Sequence, residues 1–200
     1  MLALVVTDAK RLLRARLLAA RALLTAAERD AAAGAIADRV LALPEMSGVR
    51  VVAGYVGVGD ELPTVPLLSA LVGRGVAVLL PVLLPDRSLA WGRYDGALVE
   101  GPYGLLQPAA RDASLASADV VLVPGVAFDL LGRRLGRGGG SYDRALAAVT
   151  AFTLGLCLDG EVVEEVPVEE HDRRVDAVVT PSRVLYAGTE MPTPPRVSPP

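Results

Sequence analysis

Apolar residues recur at helical spacing through the first forty positions. Leu12, Leu13, Leu17, Leu18 and Leu24 fall on one side of a helix whose other side carries Lys10, Arg14 and Arg21. Thr25, followed three residues on by Glu28, is a capping-box pattern. It predicts a second helix that opens there and runs to Leu43, ahead of Pro44. The period then shortens. A β-branched run over Val49–Tyr55 predicts a strand, VGVGDELPT (56–64) a loop, 64–74 a helix and 76–81 a second apolar strand. SLAWGRY (88–94) alternates and predicts an excursion strand or half of a hairpin. Further strands are expected at 119–123, 153–158 and 175–180, with a helix near 142–149.

Strands alternating with helices imply a mainly parallel sheet covered on both faces: an α/β fold, a Rossmann-like three-layer α/β/α sandwich. A chain of 200 residues fits one domain. It is expected to span 1–188, with 189–200, five prolines and no apolar period, as a disordered tail.

Charge narrows the partners. A net charge of -3 argues against general binding to nucleic acid, which calls for a broad basic surface. The longest uncharged stretches, 75–85 and 145–158, fall short of the ~20 apolar residues that cross a bilayer. The opening MLALVV is too short for the apolar core of a signal peptide, and a single cysteine, Cys157, cannot form an internal disulfide. The expectation is a soluble, cytoplasmic monomer.

The positive charge is local, and its main concentration is VPGVAFDLLGRRLGRGGGSYDR (123–144). Glycines at 132, 136, 138, 139 and 140 let backbone N–H groups approach a ligand, and inward-pointing amides form a concavity for an anion. A helix start behind the loop would add partial positive charge. Arg133, Arg134, Arg137 and Arg144 offer forked donors suited to phosphate, and Asp143 is the acid a magnesium ion beside a polyphosphate would need. The stretch lacks G-K-[ST], so it is no Walker P-loop, and its glycine spacing is not that of a dinucleotide fingerprint.

In open α/β sheets ligands bind beyond the carboxyl ends of the strands. Three loops are expected there, carrying Glu61, the arginine–glycine run, and Glu169-Glu170-His171-Asp172. Lys10 is the sole lysine among 20 lysines and arginines, consistent with a site that needs a compact ammonium. His171 is the only histidine and has no nucleophile motif beside it, which removes triad chemistry. Zinc lacks ligands, and Cys157 and Trp91 read as core.

The chain resembles the 5-formyltetrahydrofolate cyclo-ligase (5,10-methenyltetrahydrofolate synthetase) family from Lys10 to Thr180. The resemblance rests on Lys10-x-x-x-Arg14, Arg21, Tyr55, Asp60-Glu61-x-x-Thr64, Gly104-Leu105-Leu106-Gln107-Pro108, VPGVAFD (123–129), RLGRGGGSYDR (134–144), His171-Asp172 and Asp176. It implies ATP- and magnesium-dependent closure of 5-formyltetrahydrofolate to 5,10-methenyltetrahydrofolate, with release of ADP and phosphate. By resemblance, ATP would be held by Lys10, Arg14, Arg134 and the run Leu135, Gly136, Arg137, Gly138, Gly139, Gly140, Ser141 and Tyr142, through loop amides. Arg137 would stabilise the transferring charge, and Arg137 to Ser141 would also border the folate. Val56 and Glu61 would line the folate pocket, with Asp143 and Asp172 holding Mg2+. The family commonly shows Tyr-Tyr-Asp where this chain has Ser141-Tyr142-Asp143, and Glu where it has Gln107. On the residues alone, two alternatives fit as well: a phosphate-binding isomerase or transferase on a related scaffold, and a non-catalytic folate- or nucleotide-binding paralogue.

Overall fold

The structure, a computed structural model, describes residues 2–147 and 149–188. The proline-rich segment 189–200, and with it the expected tail, lies outside the described residues. The chain opens with α1 (Leu2–Ala22), where the pattern predicts a start at residue 8, and α2 (Ala26–Leu41), which begins at the expected capping box. Thr25 Oγ1 accepts from the Glu28 amide and the Glu28 carboxylate accepts from the Thr25 amide, so two orphan donors are satisfied at once. Then follow β1 (Val51–Ala53), α3 (Val65–Gly73), β2 (Ala77–Leu83), β3 (Leu89–Tyr94) and the small pair β4 (Val99–Glu100) and β5 (Leu106–Gln107). The second half holds β6 (Val120–Pro124), the tight pair β7 (Ala127–Phe128) and β8 (Arg134–Leu135), α4 (Ser141–Leu146), β9 (Phe152–Leu156), β10 (Ala177–Val179) and β11 (Val184–Tyr186).

Seven strands form one sheet in the order β11-β10-β9-β6-β1-β2-β3. The five inner strands run parallel, and β3 and β11 close the edges antiparallel. The expected end of β2 at Pro81 is overrun by two residues. Proline removes a ladder donor, yet β1 pairs only with residues 77–79, so Pro81 faces just the β3 side, opposite Trp91. The excursion strand over 88–94 thus settles as the outer half of that hairpin.

Alternate residues of the sheet feed two cores. Val52, Val78, Leu80, Leu122 and Leu154 pack against Ile36 and Val40 of α2 and Leu68 and Leu71 of α3. Leu79, Val121, Val123 and Val178 face Trp91, Phe128, Cys157 and Leu146 on the other side. The second face is covered by the short α4 together with irregular chain, so the third layer is thinner than a full helical one. Phe128 is fully buried against β9, where a Cβ at Gly155 would lie 2.4 Å from its ring.

α1 lies on neither face. Its Leu17 packs with Val126, Ala127, Leu135 and Val166, over the β7–β8 pair that follows the carboxyl end of β6. Deep beneath it, Arg21 Nε donates to Glu161 Oε1 at 2.6 Å and Arg21 Nη2 to the Gly125 carbonyl at 3.1 Å. Glu161 Oε2 accepts from the Leu158 amide at 2.9 Å. Both members of the pair are about 4% exposed. Among the described residues, no helix is long and apolar enough to cross a membrane. Breaking a buried pair strands a charge, which costs about 3–5 kcal/mol. Glu161→Ala is therefore expected to lose stability on that scale in urea unfolding, whereas an exposed Asp8→Ala loses less than about 1 kcal/mol.

Candidate active site

A cleft of about 630 Å³ opens beyond the carboxyl ends of β1, β2 and β6. Lys10, Arg14, Val56, Glu61, Arg134, Leu135, Gly136, Arg137, Gly138, Gly139, Gly140, Ser141, Tyr142, Asp143 and Asp172 all line it. Every residue that the family resemblance assigned to a site thus lines one cavity. The opposite wall is apolar, with Leu83, Leu89, Leu105 and Leu106 beside Gln107.

α1 supplies Lys10 and Arg14 from the same face, one helical turn apart. Lys10 Nζ sits 2.5 Å from Asp172 Oδ2 and 2.8 Å from Glu169 Oε2. Burial lowers the Lys10 pKa, but hydrogen bonds and charge from the two acids outweigh it and hold the ammonium above its usual value. Arg14 Nε donates to the Gly136 carbonyl at 2.9 Å, clamping the helix to the glycine loop.

Within that loop two positions require glycine for their backbone, Gly138 at φ 97° and Gly140 at φ 66°. Gly136 is needed for space, since a Cβ there would meet Arg134 Nη1 at 2.8 Å. The helix behind the loop, α4, has six residues, so the loop's own amides and arginines carry the anion-binding capacity rather than a helix end.

The four arginines separate. Arg134 is buried and joins Asp143 Oδ1 at 2.7 Å and the Pro124 carbonyl at 3.2 Å. Arg137 crosses the cleft to Glu61 Oε1 at 2.6 Å. Arg133 and Arg144 do not line the cleft, contrary to expectation. Successive residues of β8's approach point to opposite sides, which sends Arg133 to Glu165 and Asp129. Arg144 turns to the Arg87 carbonyl at 2.7 Å.

Glu61 is set by its own loop. Its Oε2 accepts from the Val58 amide at 3.1 Å, while Thr64 Oγ1 donates to the Tyr55 carbonyl and accepts from the Gly57 amide. Tyr55 is buried, which together with the Glu61 charge raises its pKa well above normal.

The acids expected to hold a metal are neighbours. The Arg173 amide, next in chain to Asp172, donates to Asp143 Oδ1 at 3.2 Å. Asp143 Oδ2 makes no hydrogen bond with any described residue. Glu169, His171 and Asp172 bring possible ligand atoms within 4.8 Å of one another, a group that excludes Asp143. Glu169 is the main residue whose role the sequence did not single out. It lay in the named acidic segment, but only the fold pairs it with Lys10, 159 positions away.

The parallel sheet with a basic glycine loop at its carboxyl edge defines an α/β protein with a cleft that is cationic on one side and apolar on the other. Its family is shown by sequence: the model of the 5-formyltetrahydrofolate cyclo-ligase family matches residues 6–181, and the chain belongs to that family. It is 40% identical over 186 residues to the 5-formyltetrahydrofolate cyclo-ligase of Mycolicibacterium smegmatis, spanning 88% of this chain and 95% of that protein. The Escherichia coli K12 cyclo-ligase is 38% identical over 158 residues, 74% of this chain and 87% of that one. The solution structure of Aquifex aeolicus 5,10-methenyltetrahydrofolate synthetase superposes with a TM-score of 0.81 at 28% identity, covering 94% of this chain and 97% of that one.

Asp172 lies below the usual carboxylate range. Burial pushes it up, but the Lys10 hydrogen bond, the Glu169 amide and the Lys10 and His171 charges prevail. Such a group adds stability that is present above its unfolded pKa, about 3.9, and lost as pH falls through the lower folded value. Thermal unfolding from about pH 6 down to about pH 2 should show a shallower fall in Tm for Asp172→Asn than for the wild type. Parallel curves would contradict the Lys10–Asp172 assignment.

Proposed function

We propose that the protein catalyses the ATP-dependent cyclisation of 5-formyltetrahydrofolate to 5,10-methenyltetrahydrofolate, releasing ADP and phosphate. One observation carries the reading beyond family membership. Cations from α1 and the glycine loop meet the Glu61 loop across a single cleft, so a phosphate donor and a second ligand can be held in contact.

The chemistry requires that contact. A formyl amide oxygen is a poor leaving group. Transfer of the γ-phosphoryl group to that oxygen breaks the bond to ADP and leaves the formyl carbon electrophilic. The neighbouring folate N–H nitrogen then attacks the carbon and loses its proton to solvent, the carbon–oxygen bond breaks, and phosphate departs with the electron pair. Catalysis of such a transfer is mostly positioning and charge stabilisation.

Lys10, Arg14 and Arg134 hold the phosphates in this reading, with the amides of 135–142. Arg137, 51% exposed at its side chain, is the mobile cation between the ligands. Glu61 accepts hydrogen bonds from the pterin edge, with Val56 beside it, and residues 137–141 border both ligands. The hard carboxylate oxygens of Asp143 and Asp172 suit Mg2+, and Asp143 Oδ2 is uncommitted. Held there, the ion would neutralise charge on the polyphosphate. The same reading takes the protein to act in the cytoplasm as a monomer.

Incubation with ATP, magnesium and 5-formyltetrahydrofolate should generate the near-ultraviolet absorbance of the methenyl product. A folded protein that gives none would overturn the proposal. Arg137→Ala should lower kcat about 10²-fold or more with an unchanged circular dichroism spectrum, and unaltered turnover would remove Arg137 from the mechanism.

A further inference from the structure

Tyr142 lines the cleft, and its hydroxyl, buried within the site wall, makes no hydrogen bond with any described residue. Two other buried donors share that condition, Nε of Arg133 and Nε of Arg134, but those guanidiniums bond through their terminal nitrogens. For Tyr142 the hydroxyl is the side chain's entire polar capacity. Its ring packs with the apolar cluster beneath α4, which phenylalanine would serve equally well. Folding therefore gains nothing from this oxygen, and a buried hydroxyl without an acceptor costs stability.

Tyr142 stands between the two charged pairs of the cleft. Asp143, the next residue, is fixed by Arg134 on the phosphate side, while Arg137 of the same loop reaches Glu61 on the other side. Arg134 and Glu61 are also the two charges that act on the phenol. An ordinary phenol is neutral at working pH, so the group is an O–H donor that holds its proton. The resemblance brings Tyr142 to the nucleotide through its backbone, which leaves the hydroxyl without an assignment.

We propose that the Tyr142 hydroxyl donates a hydrogen bond to the oxygen that passes from the formyl group to phosphate, making Tyr142 a further catalytic residue. This rests on the cyclo-ligase reading above. The donor orients one lone pair of the formyl oxygen while another attacks phosphorus. When the carbon–oxygen bond later breaks, the same donor meets the charge that develops on the departing phosphate. The phenol gives up no proton in either step.

Tyr142→Phe removes one oxygen and tests the assignment directly. At saturating ATP and 5-formyltetrahydrofolate, kcat should fall about 10- to 100-fold, the loss of one well-placed donor. Tm should be unchanged or higher, and ATP affinity from equilibrium binding should stay within about twofold, inside what a single lost contact would change. A structural hydroxyl would instead lower Tm, and a hydroxyl that only holds a water would leave kcat intact; either result overturns the inference. Turnover by the wild type alongside undiminished turnover by the variant removes Tyr142 and leaves the reading standing. No turnover by the folded wild type removes both.

Discussion

The buried ion pair between Arg21 and Glu161 is the constraint on which the cleft depends. It joins residues 140 positions apart, and Arg21 makes a second bond, to the Gly125 carbonyl just past the end of β6. A helix that covers no sheet face has little apolar area to hold it, and the Leu17 cluster is small. The charge pair fixes the lower end of α1 over the strand ends. Lys10 and Arg14 then project into the cavity from three and two turns further up. Arg14 returns a bond to the glycine loop, so the two halves of the basic site brace each other.

Charges within the cleft are paired with unequal tightness. Lys10 and Asp172 are each about 12% exposed at their side chains, whereas Arg137 is 51% exposed where it meets Glu61. An exposed pair contributes little, roughly 0–1 kcal/mol, because water screens it. Arg137 can therefore exchange Glu61 for a ligand at small cost. The Lys10 contact is more shielded and resists exchange. The resting cleft is thus firm at Lys10 and yielding at Arg137.

Much of this was legible in the sequence, for local reasons. The capping box at Thr25, the alternation of apolar strands and helices, and the density of glycine and arginine at 134–144 each depend on neighbours within a few residues. The elements that escaped notice rely on distant partners. β11 is three residues long and exists because β10 offers it an edge. β7 and β8 pair across a turn that Asp129 organises through the amides of Leu131 and Arg133. Arg133 and Arg144 look identical to Arg134 and Arg137 in sequence, and only the direction of each side chain separates structural arginines from those in the cleft. The Lys10 partners were half visible: Asp172 stood out through the family motif, and Glu169 needed the fold.

In the proposed reading, the anchored helix, the glycine loop and the Glu61 loop together bring a phosphoryl donor to a formyl oxygen. The decisive measurement follows the oxygen itself. 5-Formyltetrahydrofolate labelled with 18O in the formyl group should, on cyclisation with ATP, transfer its label to inorganic phosphate, read by mass spectrometry. Label recovered in water, with unlabelled phosphate, would contradict the account.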